Sequence, residues 1–149
     1  MKARTFLSLG VMAAALGLGV SGTVLAADAT AFESKLSGAN EVPANASPGS
    51  GTLKASLDMD KHTSVLNWTV TYSGLTGPVK AGHFHGPAAA GTNAGVALGL
   101  TGGVQSPIKG SATLTAAQMD ELKAGKWYVN PHTAANPGGE VRGQVMPSP

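Results

Sequence analysis

The chain has 149 residues, 42% hydrophobic and only 12% charged, with no cysteine and a formal net charge of +2. Lys2 and Arg4, in the N-terminal leader, account for that excess, so the remainder is balanced and offers no basic patch for nucleic acid and no polybasic cluster for lipid headgroups. Without thiols the fold must be held by its core and its hydrogen bonds, and any metal site must draw on histidine, carboxylate or methionine.

The first segment, "MKARTFLSLGVMAAALGLGVSGTVLA", has a basic start, an apolar run and a small-residue stop at Val24-Leu25-Ala26, the pattern of a secretory signal peptide. Ser8, Ser21, Thr23 and several glycines dilute the run, which argues against a membrane anchor. Cleavage after Ala26 is expected, with residues 1–26 as signal peptide and 27–149 as a single domain. The mature chain is then expected in the periplasm or secreted, with no membrane association.

Beyond the leader the chain reads as strands separated by turn residues. A first strand is expected at 31–37, with Phe32 and Leu36 inward. In "GTLKASLDMD" Leu53, Ala55, Leu57 and Met59 share one face, and in "SVLNWTVTY" Leu66, Trp68, Val70 and Tyr72 do the same. This period of two marks half-buried antiparallel strands. The polar turn between them leaves His62 as a solvated loop residue. Further strands are expected at 79–85, 95–100, 108–114, 127–130 and 140–146, with turn signals at Ser47-Pro48-Gly49, Gly102-Gly103 and Asn136-Pro137-Gly138-Gly139. One segment differs. In "LTAAQMDELKAGKW" Thr115 and Gln118 make a capping box, Leu114 and Met119 stand at staple positions, and Gly125 can close the end, which predicts a short helix at 116–124 lying across one end of the strands. The expected fold class is all-β, an antiparallel β-sandwich with one short helix.

Two stretches carry the residues with chemistry. In "AGHFHGPAAAG" His83 and His85 stand at i and i+2 of a strand, so they project from one face about 6–7 Å apart while Phe84 points the other way. Imidazoles leaning together across that gap can chelate one ion at ~2.0–2.1 Å, although a hydrogen-bonded pair without metal has the same spacing. In "YVNPHTAANPGGEVRGQV" His132 stands at the mouth of a Pro- and Gly-rich loop, and Glu140 and Arg142 share one face of the last strand. Those two residues fit an ion pair; Glu140 also fits a fourth metal ligand or an acceptor for an imidazole N–H. No nucleophile-and-base set, phosphate-cradling loop or carboxylate pair is evident.

Four ordered motifs carry a resemblance across nearly the whole chain after the leader: "LSGANEVP" (36–43), "SGLTGPVKAGHFHGPA" (73–88), "LTAAQMDELKAGKWYVNPHT" (114–133) and "NPGGEVRGQV" (136–145). Together they resemble the chordin-type (CHRD) domain of chordin and of many bacterial secreted proteins. The departures are Phe84 between the histidines and Pro131 before His132. The resemblance implies an immunoglobulin-like or barrel-like sandwich. A looser similarity is to copper/zinc superoxide dismutase, whose copper ligands include a His-x-His and a distant histidine; His83, His85 and His132 match that order, but this chain has no cysteine pair and no set for a separate zinc site. Three functions follow as expectations. The first is binding of copper or zinc by His83, His85 and His132, with Glu140 beside them; neutral imidazoles suit Cu(II) and Zn(II). The second is a non-catalytic module with structural histidines and an extracellular protein partner. The third is a dismutase-like copper enzyme with Arg142 attracting a small anion.

Overall fold

A computed structural model describes residues 30–149, so the expected leader and its cleavage site after Ala26 lie outside the described residues. The elements are β1 (Ala31–Ser37), β2 (Ser50–Met59), β3 (Ser64–Ser73), β4 (Val79–His85), β5 (Val96–Gly99), β6 (Ile108–Thr113), α1 (Ala116–Lys123), β7 (Trp127–Thr133) and β8 (Gly143–Pro147). The strands form one antiparallel sheet in the order β5-β4-β7-β8-β1-β2-β3-β6. It curls so that its two halves face each other. Phe32, Leu53, Leu57, Leu66, Trp68 and Val70 from one half meet Phe84, Trp127, Val129 and Val145 from the other in a single core. The rings of Trp68 and Phe84 touch edge-to-face across it, with centroids 5.5 Å apart. The expected all-β class with one short helix is what the structure has.

The alternation expected for β2 and β3 holds, except that Met59 is 46% exposed because β2 ends beside a solvated turn. In that turn Asp60 accepts hydrogen bonds from the backbone N–H groups of His62 and Thr63, and His62 is exposed as expected. The helix keeps its capping box: Gln118 N–H donates to Thr115 Oγ1, and Thr115 N–H donates to the Gln118 side chain. Its narrow apolar face, Leu122 and Met119, joins the core. Because α1 connects β6 at one end of the sheet order to β7 in the opposite half, it closes one end of the sandwich.

Two boundaries differ from expectation, and both bear on the site. β7 runs on through Pro131 and His132 to Thr133, so His132 is a strand residue paired with Ala81 rather than a loop residue. Proline is tolerated because a strand residue's N–H and C=O point to the same side. The Pro131 carbonyl accepts from Glu140 N–H in the returning hairpin, so the missing donor falls on that side and β4 loses nothing. The last strand begins only at Gly143; Arg142 makes an isolated bridge to Ser37, and Glu140 precedes the ladder.

Candidate metal centre

β4 and β7 pair antiparallel with His83 opposite Asn130 and His85 opposite Tyr128. Cross-strand partners share a face. The face of this pair turned away from the core therefore carries Ala81, His83 and His85 from one strand and Tyr128, Asn130 and His132 from the other. Phe84 and Val129 point inward and anchor the two strands to the core. The close flanking of the His-x-His by glycine has a local cause at Gly86: a Cβ there would run into the indole of Trp127 and stand 2.9 Å from the Lys126 carbonyl.

The three histidines converge. One nitrogen from each of His83, His85 and His132 lies within 4.8 Å of the others, and the His83 and His132 rings are 4.8 Å apart between centroids. His83 Nδ1 is 3.0 Å from His132 Nε2, inside the separation that two ligands of one ion require; the set as a whole is somewhat wider than the 3–4 Å of a closed site. Ring hydrogen bonds fix the tautomers. His85 Nδ1 donates to the Ala94 carbonyl at 3.1 Å, and His132 Nδ1 donates to the Pro137 carbonyl at 2.9 Å. A neutral imidazole has one N–H, so both rings present an Nε2 lone pair. His132 Nε2 accepts from His83 Nδ1–H. His85 Nε2 is buried and has no partner. Burial pushes His83 below its ordinary pKa, and the neighbouring His132 adds to that. Burial also holds His85 down, against the upward pull of the Ala94 carbonyl and of the Asn130 side chain, which favour the charged ring. Both rings are thereby kept in the form that can bind a cation.

A family model of the CHRD domain matches residues 32–145. The chain belongs to the CHRD-domain family. Comparison with curated proteins and with solved structures gives no match, and the similarity to superoxide dismutase is not among these findings.

Within this CHRD domain Glu140 is not where the sequence reading put it. It is fully buried, but its oxygens accept from Ser47 Oγ (2.7 Å), Thr76 N–H (2.7 Å), Thr76 Oγ1 (2.9 Å) and Thr133 Oγ1 (2.6 Å). The imidazole N–H groups of His85 and His132 go to backbone carbonyls instead, so Glu140 serves neither as fourth ligand nor as their acceptor. Desolvation alone would raise its pKa; the donors from Thr133, Ser47 and Thr76 outweigh it and bring Glu140 down to about 2. Glu140 and Arg142 turn to different partners. Arg142 is 2% exposed and donates to Asn93 Oδ1 and the Thr92 carbonyl, with its guanidinium 3.4 Å from the centroid of the Tyr128 ring. Buried and engaged in this way, it does not stand free to draw in an anion.

Sequence reasoning missed Tyr128 and Asn130. Tyr128 stacks on His85, with centroids 4.8 Å apart and planes 4° off parallel, and its hydroxyl donates to the same Ala94 carbonyl that receives His85. Arg142, Tyr128 and His85 thus form one stack, and the 92–94 loop that Arg142 grips supplies the acceptor fixing His85. The period of two that grouped His83 with His85 also groups Tyr128, Asn130 and His132, and it would have found both residues had β7 been extended past Asn130.

Proposed function

We propose that this CHRD domain binds one Cu(II) or Zn(II) ion through His83 Nδ1, His85 Nε2 and His132 Nε2, and that it works outside the cytoplasm, exported by the leader expected at residues 1–26. The observation that carries the reading is His85 Nε2, a buried lone pair without a donor at the point where two further imidazoles converge. Neutral nitrogen donors with no thiolate suit Cu(II) and Zn(II) better than Cu(I). To hold an ion there, His83 would carry its proton on Nε2 instead of Nδ1, which would give up the His83–His132 hydrogen bond and leave Nδ1 free as a donor. The carbonyls of Ala94 and Pro137 are the outer partners that hold ligating rings in register.

A second reading has its own support. The hydrogen bonds His83–His132, His132–Pro137 and His85–Ala94 already tie the loops together, as a protein-interaction module with structural histidines requires. Titration of residues 27–149 with Cu(II) and Zn(II), followed by native mass spectrometry, separates the two. The metal reading expects one ion per chain, loss of binding in the His83→Ala/His85→Ala/His132→Ala protein, and no change in His62→Ala. Because burial depresses His83 and His85, binding should survive acidification somewhat below the ordinary histidine value of about 6.5 before protons displace the metal. Equal, weak uptake by the wild-type and triple-variant proteins would leave the interaction module as the function.

A further inference from the structure

Asn130 lies on the outward face of β7 between Tyr128 and His132, directly opposite His83. It is 2% exposed. Its Nδ2 group donates to Glu41 Oε1 at 3.2 Å and to the Gly138 carbonyl at 3.3 Å. Those two acceptors fix the amide orientation, because the flipped form would set Oδ1 against two oxygens. Asn130 Oδ1 is therefore aimed the other way, and it is buried with no hydrogen-bond partner. A buried amide oxygen left unpaired is destabilising, because it has lost its water without gaining a donor. The same face holds a second orphan, His85 Nε2. Neither atom can satisfy the other while His85 is neutral, since both offer lone pairs. A cation between them satisfies both.

We propose that Asn130 Oδ1 is the fourth ligand of the metal, completing an N3O set with His83, His85 and His132; this rests on the metal-binding reading above. Four neutral donors leave the ion its full charge, and Glu41 sits behind the amide to offset it. By accepting from Asn130 Nδ2, the Glu41 carboxylate also pushes electron density toward Oδ1, as outer partners of metal ligands do. Gly139 is part of this arrangement. Its φ is +125°, and a Cβ there would collide with Asn130 Nδ2 and Glu41 Oε1. A backbone without side chain is what lets the Glu41–Asn130 pair form.

The test uses the protein spanning 27–149. In the wild type, adding Zn(II) should shift the side-chain 15N–1H2 NMR signals of Asn130, because coordination at Oδ1 alters the amide. Asn130→Ala should weaken Zn(II) binding in a chelator competition by on the order of 10–100-fold or more, and should change the Cu(II) electron paramagnetic resonance spectrum from that of an N3O site. Asn130→Asp separates a ligand from a merely structural amide: it removes the donor to Glu41 and should lower the melting temperature without metal, yet its anionic oxygen should keep or enlarge the rise in melting temperature on adding Zn(II). If wild-type protein binds metal with the Asn130 signals unmoved, or Asn130→Ala binds as tightly with the same spectrum, the fourth-ligand assignment is overturned while the three-histidine site stands. Failure of wild type to bind either metal overturns both.

Discussion

β3 and β7 are both interior strands of one sheet, yet they are used differently. β3 buries one face, with Leu66, Trp68 and Val70 in the core and the residues between them partly or fully exposed. β7 is buried on both faces, with only His132 partly open. Its inner face, Trp127 and Val129, belongs to the core. Its outer face is covered by loops: 92–94 over Tyr128 and His85, 136–139 over His132 and Asn130, and Glu41 from the segment after β1. A face covered by loops rather than by another sheet can hold polar side chains out of bulk water with their hydrogen bonds met by backbone carbonyls. The domain thus gathers its histidines and buried polar side chains on the far side of the strands that its core holds rigid.

The largest effect is expected from the core side of these strands. Trp68 is 3% exposed and packs on Phe84, whose strand neighbours are His83 and His85. Trp68→Ala should cost about 3–5 kcal/mol in a denaturant titration, as large aromatic deletions from a core do. The folded fraction should still bind metal, since the outer face is built from other residues. A loss below about 1 kcal/mol would mean that the inward face of β3 is not the support it is described as.

Legibility in the sequence follows the same division. The core half was readable because alternation has a single cause there, burial of one face, and the faces of β2 and β3 came out in place except at Met59. The helix was readable because capping is local chemistry between Thr115 and Gln118. The histidine set was half readable. Strand geometry placed His83 with His85, but the addition of His132 came from the family resemblance, because the strand before it is expected to end at Asn130. Glu140 was misread for a physical reason. The pattern Glu-Val-Arg is that of a strand with two charges on one face, and it does not reveal that two hydroxyls from distant segments, Ser47 and Thr76, join that of Thr133 in the same hairpin to close around the carboxylate. Long-range satisfaction of a buried charge has no local signature.

That carboxylate gives the next effect in size. Glu140 is held at about 2, against an ordinary value of 4.5. A group depressed on folding contributes stability that is fully present above the unfolded value and is lost as pH falls through the folded one, so the window is from about 4.5 down to about 2. The contribution is up to about 3 kcal/mol at neutral pH. Wild type should lose this stability in denaturant titrations between pH 5 and pH 2. Glu140→Gln should be less stable at pH 7 and should show a shallower decline on acidification. A parallel decline in the two proteins would assign the acid sensitivity to other groups.

The smallest effect probes how the covered face is kept in register. Arg142 touches no ligand nitrogen; it grips Thr92 and Asn93 and lies over Tyr128, and the next residue, Ala94, receives the His85 Nδ1–H. Arg142→Lys keeps the charge and most of the volume but replaces a planar fork with a single point donor, so one of the two loop contacts is lost. The stability change should be about 1 kcal/mol, the size of one hydrogen bond. Metal affinity should fall about tenfold if the loop is what holds His85, since disturbing an outer partner of a ligand costs 10–100-fold. Ring 15N shifts give the decisive readout: in wild type without metal His85 should carry its proton on Nδ1, and in Arg142→Lys the two tautomers should mix. Unchanged affinity together with an unmixed His85 would show that stacking on Tyr128 alone orients the ring, and would reduce Arg142 to a tie between the chain entering β8 and the loop.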